Sequence, residues 1–347
     1  MPFSLVDRTR VELFEPVSSQ DIGAIRANRN VRVVQLVKFA DPATWRRLNA
    51  ELFGERPEVQ LRVYGFYSSE CDLSFAARMA NVRHFAADSL RSATNIEAIC
   101  EIPYLESLSI EVYELTSFGF LEGVGSSLDT LSLGRTKSKK PDLAVLRRFV
   151  ALRRIYLDSQ QKNIEVLQDL TQLEDVTLRS VSTRDVGYLK SQPKLWSVDI
   201  KLGGIRDLGA LAALPDLKYL ELWQVRGLAD LSVIGELTTL QNLFLQSLPQ
   251  VVALPSLQKC RALRRVVLEN MRGLRDLSPF ASAPALEEFG LIAGRNFVPA
   301  DLEPVLANPT VRQVSAGFGS DRKNRRFEAL CAERGRAAFG YLPFEYR

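Results

Sequence analysis

The sequence predicts an α/β solenoid: a curved horseshoe with a parallel β-sheet on its concave side and short helices or 3₁₀ turns on its convex side. Three observations predict it. A six-residue frame, apolar-x-x-apolar-x-apolar, recurs along most of the 347 residues, and its strong copies start 21 to 24 residues apart. The links between copies, such as IRDLGALAALPDL, LADLSVIGELTTL and LRDLSPFASAPAL, are too short and too rich in Leu, Ala, Pro and Gly for a long helix of 3.6-residue period.

The elements follow in order. Residues 1–30 precede the first copy and are predicted to cap the array. Weak copies open it as VRVVQL (31–36), LRVYGF (61–66) and VRHFAA (82–87). Nine strong copies come next: LESLSI (105–110), LDTLSL (128–133), LRRIYL (152–157), LEDVTL (173–178), LWSVDI (195–200), LKYLEL (217–222), LQNLFL (240–245), LRRVVL (263–268) and LEEFGL (286–291). VRQVSA (311–316) closes a solenoid of about thirteen turns over residues 31–316. Residues 317–347 form the second cap, in which FEALCAERG (327–335) puts Phe327, Leu330 and Cys331 on one helical face. Side chains alternate along a strand, so the frame's apolar residues point inward and those between and after them point out. One turn cannot bury its apolar face alone, whereas stacked turns build a quasi-one-dimensional core. Chain length alone implies about two domains; the repeat implies one extended domain.

These frames and links resemble the leucine-rich repeat family, and the DLSPF and DLSVI segments are most similar to short internalin-type repeats of about 22 residues. The resemblance runs from about Val31 to Ala316. It implies an Asn or Cys three residues after the last strand leucine, where Asn hydrogen-bonds the backbone of adjoining turns. This chain has Tyr113, Gln160, Val181, Gly203, Val225, Leu248 and Met271 there, so packing rather than an asparagine ladder is expected to hold the turns.

Composition narrows the function classes. Apolar residues make up 46% and charged residues 25%, which excludes a disordered or collagen-like chain. A net charge of +4, from 45 basic and 41 acidic residues, is too balanced to imply a nucleic-acid or membrane-surface partner. Asp7, Arg8 and Arg10 fall where a secretory signal needs an apolar run, and no apolar stretch approaches a bilayer span, so a cytoplasmic protein without a membrane segment is expected. Cys71, Cys100, Cys260 and Cys331 are too dispersed for a zinc site or disulfide scaffold and read as free, buried thiols. The 34 Arg against 11 Lys point to a GC-rich, bacterial genome.

Catalytic constellations are sparse. His84 lies in an outward position with Ser107 one turn later, but Asp88 is four residues further along, roughly 13 Å away, and Val63 occupies the matching place one turn earlier. No catalytic serine is assigned. One histidine and scattered cysteines provide no metal site, GVGSS (123–127) and GFGS (317–320) lack the phosphate-loop and dinucleotide patterns, and no cofactor is expected. Arg135, Lys137, Lys139 and Lys140, and Arg322, Lys323, Arg325 and Arg326, form two basic runs without interleaved aromatics; they define an alternative reading as a binder of nucleic acid or an anionic surface.

The outward columns carry the functional prediction. One reads Ser109, Ser132, Tyr156, Thr177, Asp199, Glu221, Phe244, Val267 and Gly290; the next reads Glu111, Gly134, Asp158, Arg179, Lys201, Trp223, Gln246, Glu269 and Ile292. Tyr156, Arg179, Lys201, Tyr219, Glu221, Trp223 and Phe244, with Asp199 for local charge pairing, form a protein-binding patch of residue types that dominate interface hot spots. The expected function is a non-enzymatic protein–protein interaction module (regulator, adaptor or inhibitor) on the concave face. Asp199 and Glu221 share a column, so a hydrolase using that carboxylate pair is a further alternative; it would need one exposed carboxylate, one raised pKa and a pocket.

Overall fold

The computed structural model describes residues 2–37, 40–67 and 69–347, which divide into two compact units, Met1–Gln172 and Leu173–Arg347. The strands of the first are β1 (Phe3–Leu5), β2 (Arg10–Leu13), β3 (Val33–Leu36), β4 (Gln60–Tyr64), β5 (Glu70–Asp72), β6 (His84–Leu90), β7 (Ser92–Thr94), β8 (Ser107–Val112), β9 (Thr130–Leu133) and β10 (Arg154–Asp158). β1 and β2 form an antiparallel hairpin, and β2 pairs in parallel with β3, so residues 1–30 contribute two strands as well as the helix Ser19–Ala27. β3, β4, β6, β8, β9 and β10 then follow in parallel, while β5 and β7 make a small separate pair.

The second unit holds β11 (Asp175–Arg179), β12 (Ser197–Lys201), β13 (Tyr219–Trp223), β14 (Asn242–Gln246), β15 (Arg265–Glu269), β16 (Glu288–Ile292) and β17 (Gln313–Ala316), each parallel to the next. The frame residues form the core: Val176, Val198, Leu220, Leu243, Val266, Phe289 and Val314 lie in register and are buried, as are Leu178, Ile200, Leu222, Leu245, Leu268 and Leu291. The register lines up both outward columns of this unit as read from the sequence.

The links are mostly 3₁₀ turns, and their recurring Asp explains them. Asp72, Asp142, Asp185, Asp207, Asp230 and Asp276 each accept the backbone N–H two residues on, at 2.8–2.9 Å, which closes an Asx turn at the entry to the 3₁₀ segment.

The strand ends depart from expectation. Ser180, Leu202, Gln224, Ser247, Asn270 and Ala293 all have φ between 51° and 58°, without a glycine among them. Left-handed geometry costs a non-glycine residue on the order of 1 kcal/mol. Here it turns the N–H of residues 180, 202, 224, 247 and 270 onto the carbonyl of the next strand's last residue, so a backbone ladder takes the place of an asparagine one. Packing supplies the rest through buried Val181, Val225, Leu248 and Met271. Gln160 is an exception, buried and donating through Nε2 to the Gly134 carbonyl at 2.9 Å. At Gly203 a Cβ would stand 2.0 Å from the Val181 carbonyl oxygen, so only glycine fits.

One weak copy is read three residues late. Leu61 pairs with Phe85 and Val63 with Ala87, so they are the second and third apolar residues of that turn rather than part of LRVYGF (61–66); the first place falls on exposed Glu58, and the adjoining Val59 is buried instead. Leu61 satisfies the first apolar position of one frame and the second of the other, and sheet register decides between them.

Candidate functional site

The predicted patch falls into two parts. Tyr156 lies on β10 of the first unit, half-buried. Arg179, Asp199, Lys201, Tyr219, Glu221, Trp223 and Phe244 all lie in the second unit, on β11 to β14, and pairing places Asp199 beside Glu221, Glu221 beside Phe244, and Lys201 between Arg179 and Trp223. The patch is less exposed than residue type implied: seven of its residues are half-buried and Asp199 is buried.

Lys201 organises the charges. Its Nζ lies 2.5 Å from Asp199 Oδ2 and 3.2 Å from Glu221 Oε1, and stands over the Trp223 ring at 5.8 Å from the centroid. The Tyr219 hydroxyl donates to Glu221 Oε2 at 2.6 Å. Burial pushes the Asp199 carboxyl up to about 6, and the nearby Glu221 charge adds to the rise against the opposing pull of Lys201. Burial would lower Lys201, but the two carboxylates hold it above its ordinary value. Tyr219 is raised by burial and by its bond to Glu221. Within the patch, two buried polar atoms have no hydrogen-bond partner, Asp199 Oδ1 and the Trp223 indole Nε1.

For the hydrolase alternative, the raised pKa is present and the exposed carboxylate is not. Asp199 has a raised pKa, but neither side chain is clearly exposed, at 13% for Asp199 and 17% for Glu221, and both are tied to one ammonium.

In the first unit, His84 and Ser107 are opposite in register, as expected. The carboxylate near His84 is Glu106, with Oε2 4.0 Å from Nε2, beyond hydrogen-bond reach. Asp88 instead receives Arg62 through Nε and Nη2 at 2.7–3.0 Å, and Val63 pairs with Ala87 rather than facing His84. Arg62 also donates to Gln35, whose Nε2 joins the Tyr64 hydroxyl on Glu12 Oε2. The four cysteines are free; Cys71, Cys260 and Cys331 are buried and their thiols raised, to about 12, 11 and 11. Among the described residues no group of three or more His, Cys, Asp or Glu is placed to hold a metal ion, and no helix is long and apolar enough to cross a membrane.

Sequence reasoning missed what lies beside the patch. Residues 337–347, FGYLPFEYR with its two leading alanines, leave the edge of β17 and cross the outward face of the second unit. Ala337 bridges Gln313, and Phe339 exchanges hydrogen bonds with the Ser315 hydroxyl. Phe339 and Tyr341 then cover Gly290, where a Cβ would come within 3.2 Å of the Phe339 ring and 3.0 Å of the Tyr341 hydroxyl. Further along, the segment reaches Arg265, Arg264, Gln241 and Trp196. The available signal was twofold: aromatic residues at 339, 341, 344 and 346, and a glycine at 290 in a column otherwise holding side chains.

No family model matches the chain, and no curated protein matches it. Solved structures do. An internalin (inlF) from Listeria monocytogenes str. 4b F2365 aligns at a TM-score of 0.58 and 18% identity over 89% of this chain and 87% of its own. TLR13 in complex with ssRNA13 aligns at 0.58 and 15% identity over 91% of this chain and 48% of its own. Mouse RP105, from its complex with MD-1, aligns at 0.56 and 16% identity over 96% of this chain and 64% of its own. The fold is that of leucine-rich repeat proteins, with internalin-like repeats.

Proposed function

We propose that the chain is a non-enzymatic interaction module that binds another protein through the outward sheet face of its second unit, the face expected to be concave. One observation carries the reading: Tyr219, Glu221, Trp223 and Phe244 sit side by side on β13 and β14, with the Trp223 N–H buried and unpartnered beside the Lys201 ion pairs. Large rings with an unspent donor offer area and a polar handle together, the combination found at interface hot spots. Two proteins of the same fold were solved in complexes, TLR13 with ssRNA13 and RP105 with MD-1, which fits a binding role without naming a partner.

The test is capture from the native host with the wild type and with Trp223→Ala/Phe244→Ala. A partner lost with the double variant supports the reading, and capture at unchanged affinity ends it. The same experiment between about 50 and 200 mM salt separates the alternative: binding through the basic runs would fall steeply with salt and with loss of Lys137, Lys139 and Lys140.

A further inference from the structure

We propose that the outward face of β14 to β17 is a groove for an extended segment of a partner protein carrying aromatic side chains at alternate positions, and that residues 339–347 close it from within. This rests on the outward-face reading above and names both the kind of partner segment and what regulates its access.

The resident segment displays the recognition chemistry. Three of its backbone oxygens are held by side chains at the entries to β14 and β15: that of Leu342 by Arg265 Nη1 at 2.8 Å, that of Glu345 by Arg264 Nη1 at 2.9 Å, and that of Arg347 by Gln241 Nε2 at 2.6 Å. Gln241 Oε1 also accepts the Arg347 N–H at 2.9 Å, so one amide clamps both backbone groups of that residue. These contacts read an extended backbone whatever its sequence. Selectivity comes from rings. Phe344 lies against the guanidinium groups of both Arg264 and Arg265, at 5.0 and 4.9 Å from its centroid. Tyr346 packs edge-on against Trp196 at 5.1 Å and against Phe344 at 4.8 Å.

The groove's floor is built for a cover. Asn242 and Arg265 are 9% and 8% exposed although they stand on the outward side of the strands, and Gln241, just before β14, is 6% exposed; bare polar side chains there would be solvated. The cover itself is lightly held: Gly340 to Pro343 and Glu345 to Arg347 remain exposed, with Tyr341 at 47% and Leu342 at 71%. Such a segment opens at low cost, and a tethered occupant acts at an effective concentration on the order of millimolar, so a competing segment binds more weakly while it is in place. The groove also runs into the predicted patch, because Asn242, which donates to the Tyr346 hydroxyl at 3.4 Å, is the register partner of Tyr219.

The experiment uses a fluorescent peptide of residues 342–347, which lacks Phe339 and Tyr341, and three full-length proteins: wild type, Phe344→Ala/Tyr346→Ala, and Gly290→Val. The last fills the space beneath Phe339 and Tyr341 while leaving the contacts of residues 342–347 with Arg264, Arg265, Gln241 and Trp196 in place, and a β-branched residue suits a strand. Each is first checked for a wild-type far-UV spectrum and cooperative melting. Both variants are expected to bind the peptide at least tenfold tighter than wild type, and Gln241→Ala added to the double variant to weaken it again. Equal affinity in all three proteins, or no binding by two folded variants, overturns the proposal. So does a concentration-dependent wild-type dimer that the double variant abolishes, since the occupant would then be a second copy. The readout does not involve Trp223 or Phe244, so peptide binding with an unaffected Trp223→Ala/Phe244→Ala capture would sink the patch and leave the groove, and the reverse result would do the opposite.

Discussion

Arg265 and Phe344 are 79 positions apart in the chain, yet the guanidinium of one lies 4.9 Å from the ring centroid of the other, with Phe339 at the same distance. The same arginine pairs with Glu288 and donates to the Leu342 carbonyl. A lysine would keep the charge but not the planar fork or the stacking surface. Arg265→Lys is therefore expected to speed amide exchange of Arg347 about tenfold, the equivalent of roughly 1.4 kcal/mol, within the range of a cation–π contact. Unchanged exchange, measured by hydrogen–deuterium mass spectrometry or NMR, would mean that this stack does not hold the segment.

Asp199 gives the site an acid-side signature. Its carboxyl should titrate near 6 in a carbon-detected NMR experiment, and Glu221→Gln should lower that midpoint because the neighbouring charge is removed. The folded value lies above the ordinary 3.8, so the folded state binds more protons than the unfolded state between about pH 4 and 6. The contribution of Asp199 to stability accordingly falls as pH rises through that window. A midpoint at or below 4 would remove the basis for this dependence.

The link aspartates act in the opposite sense. Backbone N–H donors hold Asp142 down at about 2 and Asp230 below the usual carboxylate range. Their contribution is complete above about pH 4 and is lost as pH falls through the folded values. Asp230→Ala, which deletes the Asx turn before its 3₁₀ segment, should lower stability by about 0.5–1 kcal/mol near neutrality. Urea titrations at pH 7 and pH 3 check both points: the difference between wild type and variant should shrink in acid.

Two glycines should respond in opposite directions. Gly203→Ala drives a Cβ to 2.0 Å from the Val181 carbonyl oxygen, in backbone that cannot yield without breaking the next turn, and is expected to cost about 3 kcal/mol or more. Gly23, within the helix Ser19–Ala27, has nothing within 4 Å of such a Cβ, so Gly23→Ala should stabilise by about 0.5–1 kcal/mol. Denaturant midpoints for the two variants, with similar slopes, decide the matter.

Leucine periodicity by itself determined the solenoid, the strand positions of the strong copies and, through alternation, which columns face out; Asp199 beside Glu221 and Lys201 beside Trp223 were legible because register follows a repeat of nearly constant length. Where the repeat weakens, as at Leu61, a three-residue ambiguity in apolar spacing left the frame open and the sheet resolved it. The left-handed strand ends left no trace in the sequence, since Ser, Leu, Gln, Asn and Ala carry no glycine signal and only the hydrogen bond to the next strand favours that geometry. The path of residues 337–347 was likewise decided by tertiary structure alone. Their contacts join positions 24 to 150 apart, between a segment with no repeat of its own and side chains whose periodicity does not say what covers them. A pattern local to one turn encodes the core of that turn, but not what comes from the far end of the chain to lie upon it.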